Sequence, residues 1–435
     1  MKKFFLFLIV IVFVAINCKK EEDNPSNNNN NTAKFKLSDF ESAQSCSTCH
    51  PQYYDEWSGS MHRYSTSDPI WMLANNSLQQ STNGTLKSTC FQCHSPIGFL
   101  TGNTPATFQF SDLKPLVREG INCDVCHTLR APHTTTNGRI AYNIQPGRIK
   151  YGQISDPIPA GGAHESGYDI SYERSEVCRT CHDLISNGVP VEITFTEWQN
   201  SPWAAMSVEC QNCHMQTYTG QAAVGGPVRN NLHRHDMVGV DVAFGDFPNK
   251  PQQRAAVDSL LKNSCTMTVV TPSSVNANDS LQVLVNIYND KTGHNLPTSV
   301  FFFRQMWIEV TASKGSDTIF RSGHLDANGD LLDTNSAFPA RDRNLALFAG
   351  TLYKHGEFSN VFEMDSLVNN SIPPFESRLA KYNFKIPTGG SWNVKVRLLF
   401  RPFGPYLLRA VGAQQYLSDL VIFEMEKEER VIVVQ

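Results

Sequence analysis

The sequence predicts two unlike domains in one chain: a mainly α/coil N-terminal domain whose core is not made of side chains alone, and an all-β, immunoglobulin-like sandwich after it. Two observations carry this. The pattern Cys-x-x-Cys-His occurs five times, at Cys46-Cys49-His50, Cys90-Cys93-His94, Cys123-Cys126-His127, Cys178-Cys181-His182 and Cys210-Cys213-His214, all in the first half of the 435 residues. From about Cys265 the texture changes to apolar–polar alternation broken by turn residues, the period of a half-buried strand. Two domains are the natural division of a chain this long. The expected boundaries are a leader at 1–18, a linker at 19–40, the cysteine-rich domain at 41–260 and the β domain at 265–435.

The N-terminus reads Lys2, Lys3 and then an apolar run from Phe4 to Ile16, too short to span a bilayer but of signal-peptide length. Export is therefore expected. Cys18 stands where a bacterial lipoprotein carries its acylated cysteine, although Ala15-Ile16-Asn17 departs from the usual small-residue pattern; a simple cleavage site and an uncleaved anchor are the alternatives. Lys19-Lys20-Glu21-Glu22-Asp23 and an asparagine tract, Asn27 to Asn31, cannot bury a core and read as a tether. A lipid-anchored protein of the periplasm or cell surface, at the bacterial outer membrane, follows as an expectation.

Each Cys-x-x-Cys-His copy is the attachment signature of a c-type haem: two thiols bond to the vinyl groups and the adjacent histidine binds iron. Five covalently attached haem c groups are expected, held by Cys46, Cys49, Cys90, Cys93, Cys123, Cys126, Cys178, Cys181, Cys210 and Cys213, with His50, His94, His127, His182 and His214 as proximal iron ligands. Zinc knuckles pair into four-ligand sites, so five copies leave one over, and zinc does not require a histidine after every second cysteine. Of twelve cysteines only Cys18 and Cys265 fall outside the motifs, so no disulfide framework remains. The segment from Cys46 to His235 is too short to wrap five macrocycles separately, so the haems must pack on one another, with helices expected around Gln52–Met61, Leu113–Glu119, Ser175–His182 and Thr196–Met206.

Each iron needs a sixth ligand or an open face, and that choice separates electron transfer from catalysis. Eight of the 13 histidines lie outside the motifs: His62, His133, His164, His233, His235, His294, His324 and His355. They suffice to cap every iron. Met61, Met206, Met215 and Met237 are nominal alternatives, and His133 lies in a Thr-, Pro- and Gly-rich loop where capping a haem and facing solvent are both open readings.

Several stretches resemble the multihaem cytochromes related to cytochrome c554 and hydroxylamine oxidoreductase: Trp57-Ser58-Gly59-Ser60-Met61-His62 after the first motif, Gly120-Ile121-Asn122-Cys123, His164-Glu165-Ser166-Gly167-Tyr168, Glu197-Trp198-Gln199-Asn200-Ser201 and His235-Asp236-Met237-Val238-Gly239. The resemblance covers roughly residues 44 to 240. It implies distal ligands at His62, His164 and His235. Met237 stands where the family has an aromatic residue, and His233 is the alternative to His235.

In the second domain, alternation over 281–287, 306–310, 382–386 and 392–400 predicts antiparallel strands. Thr292-Gly293-His294-Asn295-Leu296-Pro297-Thr298 reads either as a plain strand connection or, by resemblance to β segments of some multihaem cytochromes, as the source of a further distal ligand, His294. Asp326-Ala327-Asn328-Gly329-Asp330 has the alternate oxygens of a calcium loop but also an ordinary Asn-Gly turn, the preferred reading. Cys265 is expected as a small buried apolar group.

Formal charge is −4, and loss of Lys2 and Lys3 with a leader leaves 35 basic against 41 acidic residues, or −6. An acidic chain excludes nucleic acid as a partner class. The resemblance and the ligand supply imply a relay of electrons between redox proteins, a donor and an acceptor. A multihaem oxidoreductase working at one five-coordinate iron on a small nitrogen or sulfur compound is the competing expectation, and a β module with accessory haems the third.

Overall fold

The computed structural model describes residues 34–130, 134–136, 139–158, 162–186, 188–333, 341–358, 364–387 and 389–435. The expected leader, Cys18, most of the linker and His133 lie outside the described residues. The described end of the linker is already built into the fold: Phe40 is buried and meets Phe35 edge-on at 5.9 Å.

The N-terminal region is a succession of short elements. Pro51–Ser58 is helical, with proline at its start where no hydrogen bond is lost, and breaks at Gly59 before a separate turn, Met61–Tyr64. The single helix expected over Gln52–Met61 is thus two. Leu113–Glu119 is mostly coil closing in the 3-10 turn Val117–Glu119, Ser175–His182 shortens to Glu176–Arg179, and Thr196–Met206 divides into Thr194–Gln199 and Pro202–Ala205. Ser201-Pro202 forces that last division, since the residue before proline avoids helical ψ. Four two-stranded ladders also appear, among them Ile149–Gly152 beside Glu165–Tyr168 and Thr217–Gln221 beside Val228–His233. They are too short and too polar to show as period-two patterns, and they make the region less purely helix and coil than expected.

The C-terminal region is sheet-rich. One sheet runs in the order Ser274–Val275, Phe423–Val434, Gly390–Arg401, Gln305–Lys314, Asp317–Ser322, and Ala346–Phe348 also pairs with Gln305–Lys314. A second sheet has Ser280–Tyr288 between Ser377–Lys385 and Thr266–Val270. The expected alternation supplies the core: Val283, Val285 and Ile287 of one sheet join Ile308, Val310, Val394, Val396 and Leu398 of the other in one buried cluster, with Cys265 among them. Truncating Ile287, Ile308 or Leu398 to alanine would cost about 2 kcal/mol or more.

The alternation holds to the end of Gly390–Arg401, where Phe400 joins Leu398 in the shared core, but the outward face is covered there: Leu399 packs with Trp307 and Leu331, and Arg401 is 1 % exposed. The loop around Gly329 covers that face, and Arg401 donates to the Gly329 carbonyl (2.6 Å) and to Gln305 Oε1 (2.6 Å). Asp330 in the same loop pairs with Arg409, and Asp326 Oδ1 accepts from the Asn328 and Asp330 N–H groups. The arginines pin an ordinary turn, so 326–330 is not built for calcium.

Residues 33–435 form one compact unit. Asp241, beyond the last motif, takes a two-pronged pair from Arg304 at the start of the strand Gln305–Lys314 (Nη2–Oδ2 2.9 Å). Tyr64 receives the Phe244 N–H at its hydroxyl (2.9 Å), and Phe244 packs with Ile70, Leu408 and Ala413, so one small core contains side chains from both regions. Among the described residues no helix is long and apolar enough to cross a membrane.

Candidate haem sites

A Cys-x-x-Cys-His segment wound as a helical turn puts both sulfurs and the imidazole on one side, since residues three and four apart are neighbours. Caps start these turns. Asn122 Oδ1 accepts from the Val125 N–H (3.0 Å) to open Cys123–Thr128, and the Glu209 N–H donates to Asn212 Oδ1 (2.7 Å) at the start of Cys210–His214. The histidine N–H returns to the first cysteine carbonyl in His50 (2.9 Å), His94 (3.2 Å) and His182 (3.1 Å).

The ring nitrogens are then sorted by partner. Nδ1 of His50 donates to the Ala222 carbonyl (2.7 Å), of His94 to Ser65 (2.9 Å), of His127 to Tyr151 (2.6 Å) and of His214 to Val238 (2.5 Å). With the proton held at Nδ1, Nε2 carries the free lone pair, the tautomer an axial iron ligand needs. His182 differs: its Nδ1 faces the Glu192 carboxylate at 3.7 Å, an ion-pair distance too long for a direct hydrogen bond.

The histidines outside the motifs complete the pattern. His164 lies opposite His50 with ring centroids 6.2 Å apart, His62 opposite His182 at 6.4 Å, His235 opposite His127 at 6.2 Å and His294 opposite His214 at 6.2 Å. Two imidazoles bound to one metal from opposite sides, with bonds of about 2.0 Å and ring centres about 1.15 Å behind each nitrogen, stand roughly 6.3 Å apart. The residues therefore fit bis-histidine haem c. Nδ1 is occupied here too: His164 meets the Glu165 carbonyl (2.9 Å), His235 the His233 carbonyl (3.0 Å), His294 the Asn295 carbonyl (2.9 Å) and His62 the Met237 sulfur (2.7 Å). Burial lowers the pKa of His62 and His294 to about 4 and of His235 to about 3, so each ring stays neutral, the form that binds iron. At His182 burial also acts to lower the pKa, but Glu192 outweighs it and raises the value to about 9.

His233 turns its Nδ1 to the Met215 carbonyl (2.6 Å), and it is His235 that faces His127. Met237 abuts His62, Met61 accepts from Gln253 Nε2 (3.1 Å), and Met206 is exposed. His324 bonds Thr311 Oγ1 (2.9 Å) far from the motifs, and His355 is exposed beside Asp365. His94 is the exception among the proximal residues: the ring beside it is Trp71, parallel at 4.4 Å, and among the described residues no histidine stands opposite it. Burial lowers the His94 pKa to about 4.

Second contacts place the ligands. Gly120, with φ +67°, lets the chain before the third motif lie directly on His62, whose carbonyl accepts the Ile121 N–H (3.1 Å); a Cβ at 120 would meet that carbonyl oxygen at 2.5 Å. Glu56 accepts the His235 N–H (2.7 Å) and pairs with Arg234 (2.6 Å). Glu197 Oε2 accepts from the Asn295 N–H (3.1 Å) and the Thr298 hydroxyl (2.5 Å), clamping the loop that carries His294; burial raises the Glu197 pKa to about 7. Glu192, Glu197 and Trp71 were not legible as site residues: a lone carboxylate or indole has no spacing signature, though Glu197 lies in a stretch that matches the family pattern.

Sulfurs of different motifs also approach one another. The thiol of Cys46 lies near enough to that of Cys123 for each to shift the other's pKa, as do those of Cys93 and Cys181 and of Cys178 and Cys210, while Cys126 feels the charge of Cys178 and Cys181. The first site thus adjoins the third, the third the fourth, and the fourth both the second and the fifth. Among the described cysteines only Cys49 and Cys213, in the first and fifth motifs, are exposed.

Residues 45–128 match the family Cytochrome c554 and c-prime. Among solved structures, a penta-heme cytochrome c552 from Thermochromatium tepidum is similar at 21 % identity over 92 % of this chain and 100 % of that one, with TM-score 0.67, a shared fold that extends into the sheet-rich part. The CARDB domain of the PF1109 protein from Pyrococcus furiosus (10 % identity, 39 % of this chain and 89 % of that one, TM-score 0.18) and a superoxide reductase from Ignicoccus hospitalis (11 %, 39 % and 80 %, TM-score 0.16) align too weakly to carry an argument. No curated protein matches the chain. Attachment motifs, family match over 45–128 and fold over nearly the whole length converge: the chain is a multihaem c-type cytochrome, with covalently bound haem c and a sheet-rich C-terminal part.

Proposed function

We propose that this chain is an exported pentahaem cytochrome that relays electrons between redox proteins from a lipid anchor at Cys18, in a respiratory or extracellular chain at the bacterial outer membrane. The observation that carries the relay is the set of four histidine pairs at 6.2–6.4 Å, a spacing at which the two rings of each pair would hold one haem between them and exclude substrate from it. Haem iron supplies a one-electron ferric–ferrous couple. The chain's part is to fix the imidazoles of His50, His94, His127 and His214 through Nδ1 and to bring the sites into one connected set. The two sheets that share one core are read as an immunoglobulin-like sandwich, which lends His294 to the fifth site.

Low-temperature EPR of the ferric protein, with haem counted by pyridine haemochrome, tests this. Five haems with low-spin signals from at least four support the relay; high-spin signals from several overturn it. A second reading rests on His94, which faces Trp71 and no described histidine: an open iron there would bind a small nitrogen or sulfur compound. One high-spin haem per chain, perturbed by nitrite, hydroxylamine or sulfite, selects that reading, whereas a sixth ligand from His133 removes the signal.

A further inference from the structure

Glu192 is an anomaly among the second contacts. It is 8 % exposed, has no Lys or Arg at ion-pair distance among the described residues, and its Oε2 has no hydrogen-bond partner there. A carboxylate buried in this way is costly unless a positive charge balances it. The group it faces is His182, the one motif histidine whose Nδ1 meets a side chain in place of a backbone carbonyl. Its Oε1 also accepts from the Thr194 hydroxyl (2.5 Å), which fixes it, and Thr194 in turn touches the Thr298 hydroxyl (2.9 Å) of the His294 loop. His182 belongs to the site that adjoins the second, third and fifth.

We infer that Glu192 is the potential-setting residue of the relay, holding the haem at His182 at a lower reduction potential than its neighbours. The inference rests on the relay reading. The physical cause is twofold. A ferric haem carries one more positive charge than a ferrous one, so a fixed negative charge nearby stabilises the oxidised state. A negative charge 3.7 Å from Nδ1 also polarises the imidazole toward a stronger donor to iron, which acts in the same direction. The four carbonyl-bonded histidines lack this full charge. The site with the most neighbours is thereby the hardest to reduce, and electrons are distributed from it and do not rest on it.

The test is a spectroelectrochemical titration of the full-length holo-protein. Glu192→Gln keeps the size and can still accept from Thr194 but removes the charge. One of the five one-electron components is expected to shift upward by about tenfold in its reduction equilibrium, about 59 mV, with smaller movements elsewhere. Thr194→Val, which leaves the charge unshielded, is expected to move the same component downward and serves as the test where the glutamine variant does not assemble. A titration curve that superimposes on the wild type's in a variant retaining five haems overturns the inference. The wild-type EPR spectrum, measured separately, decides the relay reading itself.

Discussion

At the scale of single residues, a distal ligand and a structural histidine differ in what their removal exposes. His164→Ala, His62→Ala, His235→Ala and His294→Ala are each expected to convert one low-spin haem to high spin, read by EPR, while His233→Ala leaves the spectrum unchanged because its ring faces the Met215 carbonyl. Asp68 offers a different readout. Burial raises its pKa from 3.8 to about 7 against the opposing hydrogen bonds from the Ile70 and Trp71 N–H groups, with Asp241 adding to the rise and Arg304 opposing it. The folded chain therefore holds this proton more tightly than the unfolded chain. The stabilisation is full below pH 4 and is lost as pH rises through 7. Asp68→Asn keeps the cap on Ile70 without the charge, so it is expected to raise the thermal midpoint at pH 8 by about 2–4 °C and by less at pH 5.

Elements show where sequence reasoning stops. The long strands were legible because each buries one face over at least five residues, and the motifs because covalent attachment fixes their spacing. The helix Pro69–Ser81 was not expected, although Asp68-Pro69 is a cap followed by a first-turn proline; Lys250–Lys262, with Pro251 in its first turn, was missed in the same way. Which distal histidine serves which motif was not legible at all: His62 follows the first motif yet faces His182 of the fourth, a pairing set by packing between positions 120 apart. The burial of Arg401 was not legible because a loop distant in sequence, around Gly329, covers the outward face of its strand. At the turn before the third motif, Gly120→Ala is expected to lower stability by about 2 kcal/mol or more, from the positive φ and the contact with the His62 carbonyl, and to add a high-spin signal as His62 is displaced.

On the scale of the whole molecule, the haem-bearing and sheet-rich regions are held as one. Glu197 clamps the His294 loop, Arg304 pairs with Asp241, and the cluster around Phe244 draws from both. Unfolding is therefore expected to be a single transition, with Soret absorbance and tryptophan fluorescence coinciding. Arg304→Met strands the Asp241 carboxylate and is expected to cost about 3 kcal/mol, a figure reduced where water reaches Asp241. Glu197→Ala is expected to free the His294 loop and make the fifth site high-spin while leaving the other four as they are.

The backbone carbonyls that orient His50, His94, His127 and His214 come from Ala222, Ser65, Tyr151 and Val238, four different side chains. A carbonyl survives any substitution of its own side chain, so these four imidazoles keep their direction while the surrounding sequence drifts. The fifth, His182, faces a glutamate at 3.7 Å instead. In evolutionary terms, one codon at position 192 is where the electronic character of this protein is open to revision, and the other four sites are sheltered from the same kind of change.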